Sequence, residues 1–294
     1  MTDTLSSKDR AVLTVIAVMA GILAFTVVPF GVVSAMDAVL KGAAIKIPAA
    51  GNPLIRTAPQ IVITFFPIWG GLSMAAGVAL LLVARSIQRG EPWARSAAVG
   101  LLAIPSITGA YLSGPIMFFA SKAMPYFLIV SLCGLVPYFL ILLWGKSSWR
   151  DKIADFFLFL MLGVTAAWSF SNGGSSLRMF WARPQPYALE TGHYGFLLGI
   201  PVVWIGVVST VVAIPLLVAR TRIGWRLAGT GLLTILMGSA TLFVTHLSTK
   251  EFLFGIIMAA VSLALLWLPA VGGRLVSKEQ VKPAPDKLPM VQTA

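Results

Sequence analysis

The sequence predicts an all-α polytopic membrane protein, with eight transmembrane helices arranged as two tandem four-helix repeats. Three observations predict this fold class. Hydrophobic residues make up 58% of the 294 residues and charged residues 11%, whereas a soluble domain has about 45–50% and about 25%. Apolar runs that are long enough to cross a bilayer recur eight times. Part of the first half of the chain also recurs in the second half.

The composition excludes several other classes of protein. Charged residues are too scarce for an ordinary soluble enzyme or a disordered chain, and the single cysteine, Cys133, excludes a disulfide-stapled scaffold. The net charge of +12 comes from short basic segments between apolar runs, which is typical of loops beside anionic lipid headgroups. We therefore expect the lipid bilayer as a partner and no nucleic acid.

A transmembrane helix needs about 20 mostly apolar residues, and eight stretches meet this need, although the first is long and the fifth is short. They cover 11–40, 60–84, 97–120, 125–144, 154–170, 195–219, 227–245 and 252–270. Fifteen of the 22 lysines and arginines fall on the side of this map that holds both termini. Because cytoplasmic loops carry the positive excess, both termini are predicted to be cytoplasmic. Compact loops and the lack of a targeting sequence favour a bacterial cytoplasmic membrane.

An internal duplication is the most informative feature of the sequence. The segment Trp-Gly-Gly at 69–71 recurs as Trp-Ile-Gly at 204–206, and Leu-Leu-Val-Ala-Arg-Ser at 81–86 recurs as Leu-Leu-Val-Ala-Arg-Thr at 216–221, both with an offset of 135. An even number of spans per repeat makes the two halves enter the membrane in the same direction. The duplication therefore predicts a parallel repeat with a pseudo-two-fold axis along the membrane normal.

The domain organisation follows from this duplication. We predict a first repeat at 1–146, a second repeat at 147–274 and a disordered, proline-punctuated cytoplasmic tail at 275–294. Two long connections, 41–59 and 171–194, occupy equivalent positions on the outer side. Loops of this length are usually functional or mobile, so these outer loops are predicted either to cover the interface or to bind other subunits of a membrane complex, unless they are simple connectors.

Candidate binding residues are few, because ionisable side chains are almost absent from the predicted spans. Asp37 lies near the outer end of the first span. Uncharged polar groups that could line a path are Ser106 and Thr108 in the third span and Thr241 in the seventh. The alternative is that small polar residues only allow helices to approach. Arg178 lies in the second outer loop.

Both histidines of the chain map to the outer side. His193 opens the sixth span and forms Glu-x-x-His with Glu190, while His246 follows the seventh span. Imidazole and carboxylate groups are metal ligands, and two histidines can also hold one haem. Neither a second Glu-x-x-His nor a nucleophile motif is present. No cofactor is predicted, because histidines at these positions are expected to lie in solvated loops. A metal or haem at His193 and His246 stays an open alternative.

Three functions remain open for such a chain. The first is permease-like handling of a small uncharged or lipidic molecule at the interface of the halves, which the duplication and mid-span prolines favour. The second is a non-catalytic membrane anchor subunit, since the span count resembles that of quinone-handling anchor subunits of respiratory complexes in architecture alone. The third is an outer-face metal-dependent enzyme that uses Glu190, His193 and His246. An enzyme is the less favoured reading.

Overall fold

The chain forms a bundle of eight long α-helices. The computed structural model describes residues 6–51, 55–145, 147–182, 191–245 and 250–275, which contain two short 3-10 turns and no β-strand. The helices are α1 (Ser7–Ala50), α2 (Ala58–Arg89), α3 (Ala94–Phe119), α4 (Met124–Leu143), α5 (Trp149–Trp181), α6 (Thr191–Val218), α7 (Arg222–Thr245) and α8 (Lys250–Trp267). Each is long and apolar enough to cross a membrane, so the predicted multi-pass all-α fold is confirmed. Beyond Leu275, the predicted tail lies outside the described residues.

The described residues of the two long outer loops predicted at 41–59 and 171–194 are mostly helical, so the prediction of loops there is wrong. α1 and α5 continue into these segments, α5 as far as Trp181. Glycine and polar residues suggested a loop, but Gly173 is buried within α5. A Cβ on Gly173 would collide with the indole of Trp204 on α6. This glycine therefore allows two helices to pack closely instead of ending one of them.

α1 and α5 begin with the same kind of cap. The amide of Asp9 donates to Ser6 Oγ over 3.1 Å, and the amide of Asp151 donates to Ser148 Oγ over 3.2 Å. In α1 the Ser6 amide also donates to the Asp9 carboxylate, which completes a capping box. Both helices thus start at a Ser-x-basic-Asp-basic segment, which satisfies backbone donors that the first turn of a helix leaves free.

Each of these aspartates also binds a residue that follows the fourth helix of its own half. The Trp144 indole donates to Asp9 over 3.0 Å. The Arg274 guanidinium pairs with Asp151, and it reaches Asp155 over 3.2 Å. These contacts bring the start of α1 beside the end of α4 and the start of α5 beside the end of α8. Each half is therefore a closed four-helix bundle, in which consecutive helices are neighbours.

Glycines set the closest helix pairs within each half. A Cβ on Gly77 would lie 2.7 Å from the Gly21 carbonyl oxygen, where α1 crosses α2. A Cβ on Gly231 would lie 2.9 Å from the Gly206 carbonyl oxygen, where α6 crosses α7. Small residues permit such approach in membrane helices, where dispersion contacts and hydrogen bonds drive association.

α3 is the central helix of the molecule, because it packs on α1, α2 and α4 of its own half and on α5 and α6 of the other. At the α3–α6 contact a Cβ on Gly100 would lie 2.8 Å from Pro215. We call the end at which α1, α3, α5 and α7 begin the basic end. It carries Lys8, Arg10, Arg89, Arg95, Arg150, Lys152, Arg220, Arg222, Arg226 and Arg274.

Candidate ligand cleft between the two halves

A cleft of about 380 Å³ lies where α3 and α4 of the first half meet α5 of the second, and Ile214 of α6 contributes to its wall. Its lining is almost entirely apolar and includes no charged residue. The lining side chains are Ala103, Ser106, Ile107, Ala110, Ser113, Phe127, Leu128, Ser131, Leu132, Leu135, Tyr138, Phe139, Phe159, Leu160, Gly163, Val164 and Ile214. We call this cavity the interhelical cleft.

The back wall of the interhelical cleft is the tight contact between α3 and α4. A Cβ on Gly134 would lie 2.5 Å from the Ser106 backbone nitrogen, and one on Gly109 would lie 2.6 Å from Ser131. α4 and α5, in contrast, make few contacts with each other. One of these contacts is the pair Phe139 and Phe156, whose ring centroids are 4.5 Å apart.

The mouth of the interhelical cleft faces the surface that a bilayer would cover. Leu128 and Leu132 line the cleft and are 49% and 57% exposed on α4. Across the mouth, Gly163 of α5 has open space where a Cβ would stand. Because α4 and α5 make few contacts, the cleft opens laterally between these two helices.

Four hydroxyl groups are distributed along this apolar cavity. Ser106 and Ser113 each donate to a carbonyl of their own helix, over 2.8 and 2.6 Å. The hydroxyls of Ser131 and Tyr138 are buried and have no hydrogen-bond partner within the described part of the chain. Buried polar groups are rarely left without a partner, so these two hydroxyls retain hydrogen-bonding capacity beside the cleft.

A second cavity of about 590 Å³ adjoins the cleft at the basic end. We call it the basic-end pocket, and it is lined by Asp9, Val136, Phe139, Leu140, Leu143, Trp144, Gly145 and Lys152. Phe139 lines both cavities. Asp9 is engaged by the Trp144 indole and by the Ser6 cap. The backbone amide of the half-buried Lys152 donates to the Ser148 carbonyl over 3.0 Å, but its ammonium has no hydrogen bond or ion pair with another described residue.

An aromatic cluster joins the halves on the far side of α3. The Phe170 ring of α5 lies 5.0 Å from the ring of Trp69 and 5.6 Å from that of Trp204, centroid to centroid. Tyr111 and Phe65 contact the same Phe170 ring at 5.3 Å each. Such edge-to-face and stacked pairs add to packing energy. The two tryptophans of the duplicated segment thus meet on one phenylalanine.

The structure places one predicted site residue, Ser106, at the cleft. Thr108 lies on another face of α3, where its hydroxyl meets that of Ser73 over 3.0 Å within the α2–α3 contact. Thr241 is exposed on α7 and donates to a carbonyl of its own helix. These two threonines do not share a site with Ser106.

The charged candidates lie elsewhere. Asp37 pairs with Lys41 over 2.7 Å, and both side chains are largely exposed, which is typical of a surface ion pair. Arg178 lies in the last turn of α5, not in a loop, and its carbonyl accepts a hydrogen bond from Thr57 over 2.7 Å. Neither residue reaches the interhelical cleft.

The histidine site stays a prediction. Glu190 and His246 lie outside the described residues, and the same holds for the side chain of His193, whose backbone is in the first turn of α6. Within the described residues no group of three or more histidine, cysteine, aspartate or glutamate side chains is placed to hold a metal ion.

Most of the residues that line the two cavities were not predicted from the sequence. Tyr138 carried a usable signal, because a tyrosine in the middle of an apolar span departs from the usual interfacial position of that residue. In the sequence, Lys152 is one of the basic residues whose excess on one side predicts the orientation in the membrane. Phe139 carried no signal, since one more phenylalanine in an apolar helix is typical of any span.

No protein-family model, no curated protein and no solved structure matches this chain.

Proposed function

We propose that this integral membrane protein takes a lipidic molecule from the bilayer into the interhelical cleft and passes it along the interface of its two halves. The observation that carries the proposal is the cleft itself. It lies where both halves meet and opens between α4 and α5, and its walls suit an apolar chain. Ligand sites in helical membrane proteins commonly lie at the interface of repeated halves.

The lining favours a lipidic ligand over a polar solute. A polar solute would need several hydrogen-bond partners, whereas the cleft offers only a few hydroxyls among apolar side chains. Burial of apolar surface does not by itself distinguish a ligand from surrounding lipid tails, since both environments are apolar. Selectivity would come from shape and from a ligand oxygen that bonds to the free hydroxyl of Ser131 or Tyr138.

Transbilayer movement of a fluorescent phospholipid in liposomes tests this proposal. The test variant is Gly163→Leu, which fills the cleft at a position where a Cβ has open space. The matched control is Gly71→Leu on α2, where a Cβ also has open space but faces away from the cleft. We expect wild type and control to move lipid faster than protein-free liposomes, and Gly163→Leu to lose most of that gain. A wild-type rate equal to the protein-free rate would contradict the proposal, and so would an equal loss in both variants.

We also infer that the basic end faces the cytoplasm and that the halves are related as parallel repeats. The positive excess at one end supports the orientation, and a bacterial cytoplasmic membrane is the setting in which we place it. Both halves begin with the same cap and close through the capping aspartate, which supports the repeat. The contacts between halves are not symmetric, since the substantial ones join α3 to α5 and α6.

A second candidate function, subunit of a larger membrane complex, is favoured by one observation. α1 has 44 residues and is about 66 Å long at about 1.5 Å per residue, which exceeds the full bilayer thickness of about 40–45 Å. Near its far end Ile45 is 76% exposed. Co-purification of a stoichiometric partner that is lost on Ile45→Glu would support this candidate. Retention of the partner by this variant would contradict a role for the α1 end.

A further inference from the structure

The interhelical cleft and the basic-end pocket form one groove along α4 and α5. Phe139 lines both cavities, so they adjoin at this side chain. Along α4 and its end the lining runs from Phe127 to Trp144, about 25 Å at about 1.5 Å per residue. This length is close to the hydrocarbon thickness of about 30 Å. A ligand in the groove can thus have one part at headgroup level and another deep in the membrane.

The basic-end pocket lies at headgroup level. Trp144 lines it and Trp149, which begins α5, is exposed beside it, and tryptophan is enriched where hydrocarbon meets water. Asp9, the acidic residue that lines the pocket, is engaged by Trp144 and Ser6. The Lys152 ammonium is left as the charged donor without a partner among the described residues. The pocket holds one carboxylate and one ammonium, and a lysine at headgroup level attracts anionic lipid headgroups.

Resting on the function proposed above, we infer that the lipid in this groove bears a phosphate, which Lys152 binds while one chain passes Phe139 into the interhelical cleft. Lysine binds phosphate as a point charge with three donors. Free phosphate would leave the adjoining apolar cleft unused. A neutral lipid would leave Lys152 without a counter-ion. A phospholipid from the leaflet at the basic end would place its phosphate at Lys152 and one acyl chain in the interhelical cleft.

Photo-crosslinking in vesicles tests this inference. The first probe is phosphatidylglycerol with a photoreactive acyl chain, and the second is diacylglycerol with the same chain. The test variant is Lys152→Gln, and the matched control is Lys8→Gln, which removes an exposed charge at the same end outside the pocket. Peptide mass spectrometry locates the labelled residues, with Ile107 and Phe159 as the expected targets, since both line the cleft but are shielded from the surrounding lipid.

We expect phosphatidylglycerol to label the cleft in wild type and in Lys8→Gln, and about fivefold less in Lys152→Gln, the effect of one lysine near a lipid phosphate. Diacylglycerol should label the cleft weakly and equally in all three proteins. Equal labelling by phosphatidylglycerol in wild type and Lys152→Gln would overturn the phosphate inference while leaving the cleft a lipid site. Absence of cleft labelling by both probes would overturn the proposed function as well.

Discussion

Gly134 determines how closely α4 approaches α3 behind the interhelical cleft. Its missing side chain leaves space for the backbone of Ser106, 2.5 Å from where a Cβ would stand. Because backbone atoms cannot move aside as a side chain can, Gly134→Ala must separate the two helices. We expect a loss of about 1–3 kcal/mol in stability, the range for overpacked sites. Thermal unfolding in detergent, followed by tryptophan fluorescence, measures this loss as a lower Tm.

Gly163→Ala is the control for that substitution. A Cβ at Gly163 meets open space, so alanine adds helix propensity of up to about 1 kcal/mol without a clash. Its Tm should equal or exceed that of wild type. Equal losses in the two variants would show that helix spacing is not what Gly134 provides.

Phe139 is expected to control passage between the basic-end pocket and the interhelical cleft. It lines both and packs on Phe156 across the α4–α5 gap. Phe139→Trp enlarges this side chain and should slow lipid movement in liposomes, whereas Phe139→Ala joins the cavities and should keep or raise the rate. Phe118→Trp, at an exposed position near the opposite end, should leave the rate unchanged. Faster movement in Phe139→Trp would contradict a gating role.

Single residues also show why the cleft was only partly predictable. Ser106 and Thr108 were proposed together, yet two positions along a helix are about 200° apart around its axis. The structure accordingly has Ser106 at the cleft and Thr108 against α2. Helix periodicity could have separated them, but the sequence does not reveal which face meets the other half. That assignment depends on contacts between α3 and α5, which are distant in the chain.

Among the helices, α5 differs most from its prediction. Its predicted span ended at Phe170, because polar residues and glycines follow. The helix instead continues to Trp181 and buries Asn172, which donates to the Glu251 carbonyl of α8 over 3.2 Å. A buried polar face looks like a loop in sequence until its partner helix is known. Apolar runs located all eight helices correctly, since hydrocarbon length sets their minimum size.

One hydrogen bond between two side chains joins α5 and α8, beside several from side chains to backbone carbonyls. Thr165 and Ser262 share a bond of 2.8 Å, and both residues are fully buried. A double-mutant cycle with Thr165→Val and Ser262→Ala should give a coupling of about 0.6 kcal/mol, with about 1.7 as the upper range for membrane helices. Reversible unfolding in mixed detergent micelles measures it. The control Thr241→Val, on an exposed face of α7, should change stability little. A coupling of zero between Thr165 and Ser262 would contradict their hydrogen bond.

For the whole molecule, equivalent positions of the duplication perform different tasks. Gly-Leu-Leu at 100–102 recurs as Gly-Leu-Leu at 231–233, but Gly231 packs on α6 within the second half, whereas Gly100 contacts Pro215 across the interface. The first half therefore contributes its third helix to the centre, while α7 stays at the periphery. A symmetric repeat would be expected to place a ligand equally between its halves, but the interhelical cleft is lined mainly by α3, α4 and α5. Only the packing of the halves creates this cleft.

The sidedness of the whole molecule is testable with single cysteines. In a Cys133→Ala background, Lys8→Cys at the basic end and Lys122→Cys at the opposite end lie at exposed positions. A membrane-impermeant maleimide applied to intact cells should label only the Lys122→Cys protein, because a positive excess is typical of cytoplasmic ends. Both proteins should be labelled once the membrane is opened, which shows that each thiol is reactive. Labelling of Lys8→Cys alone in intact cells would reverse the orientation, and the phosphate lipid at Lys152 would then come from the outer leaflet.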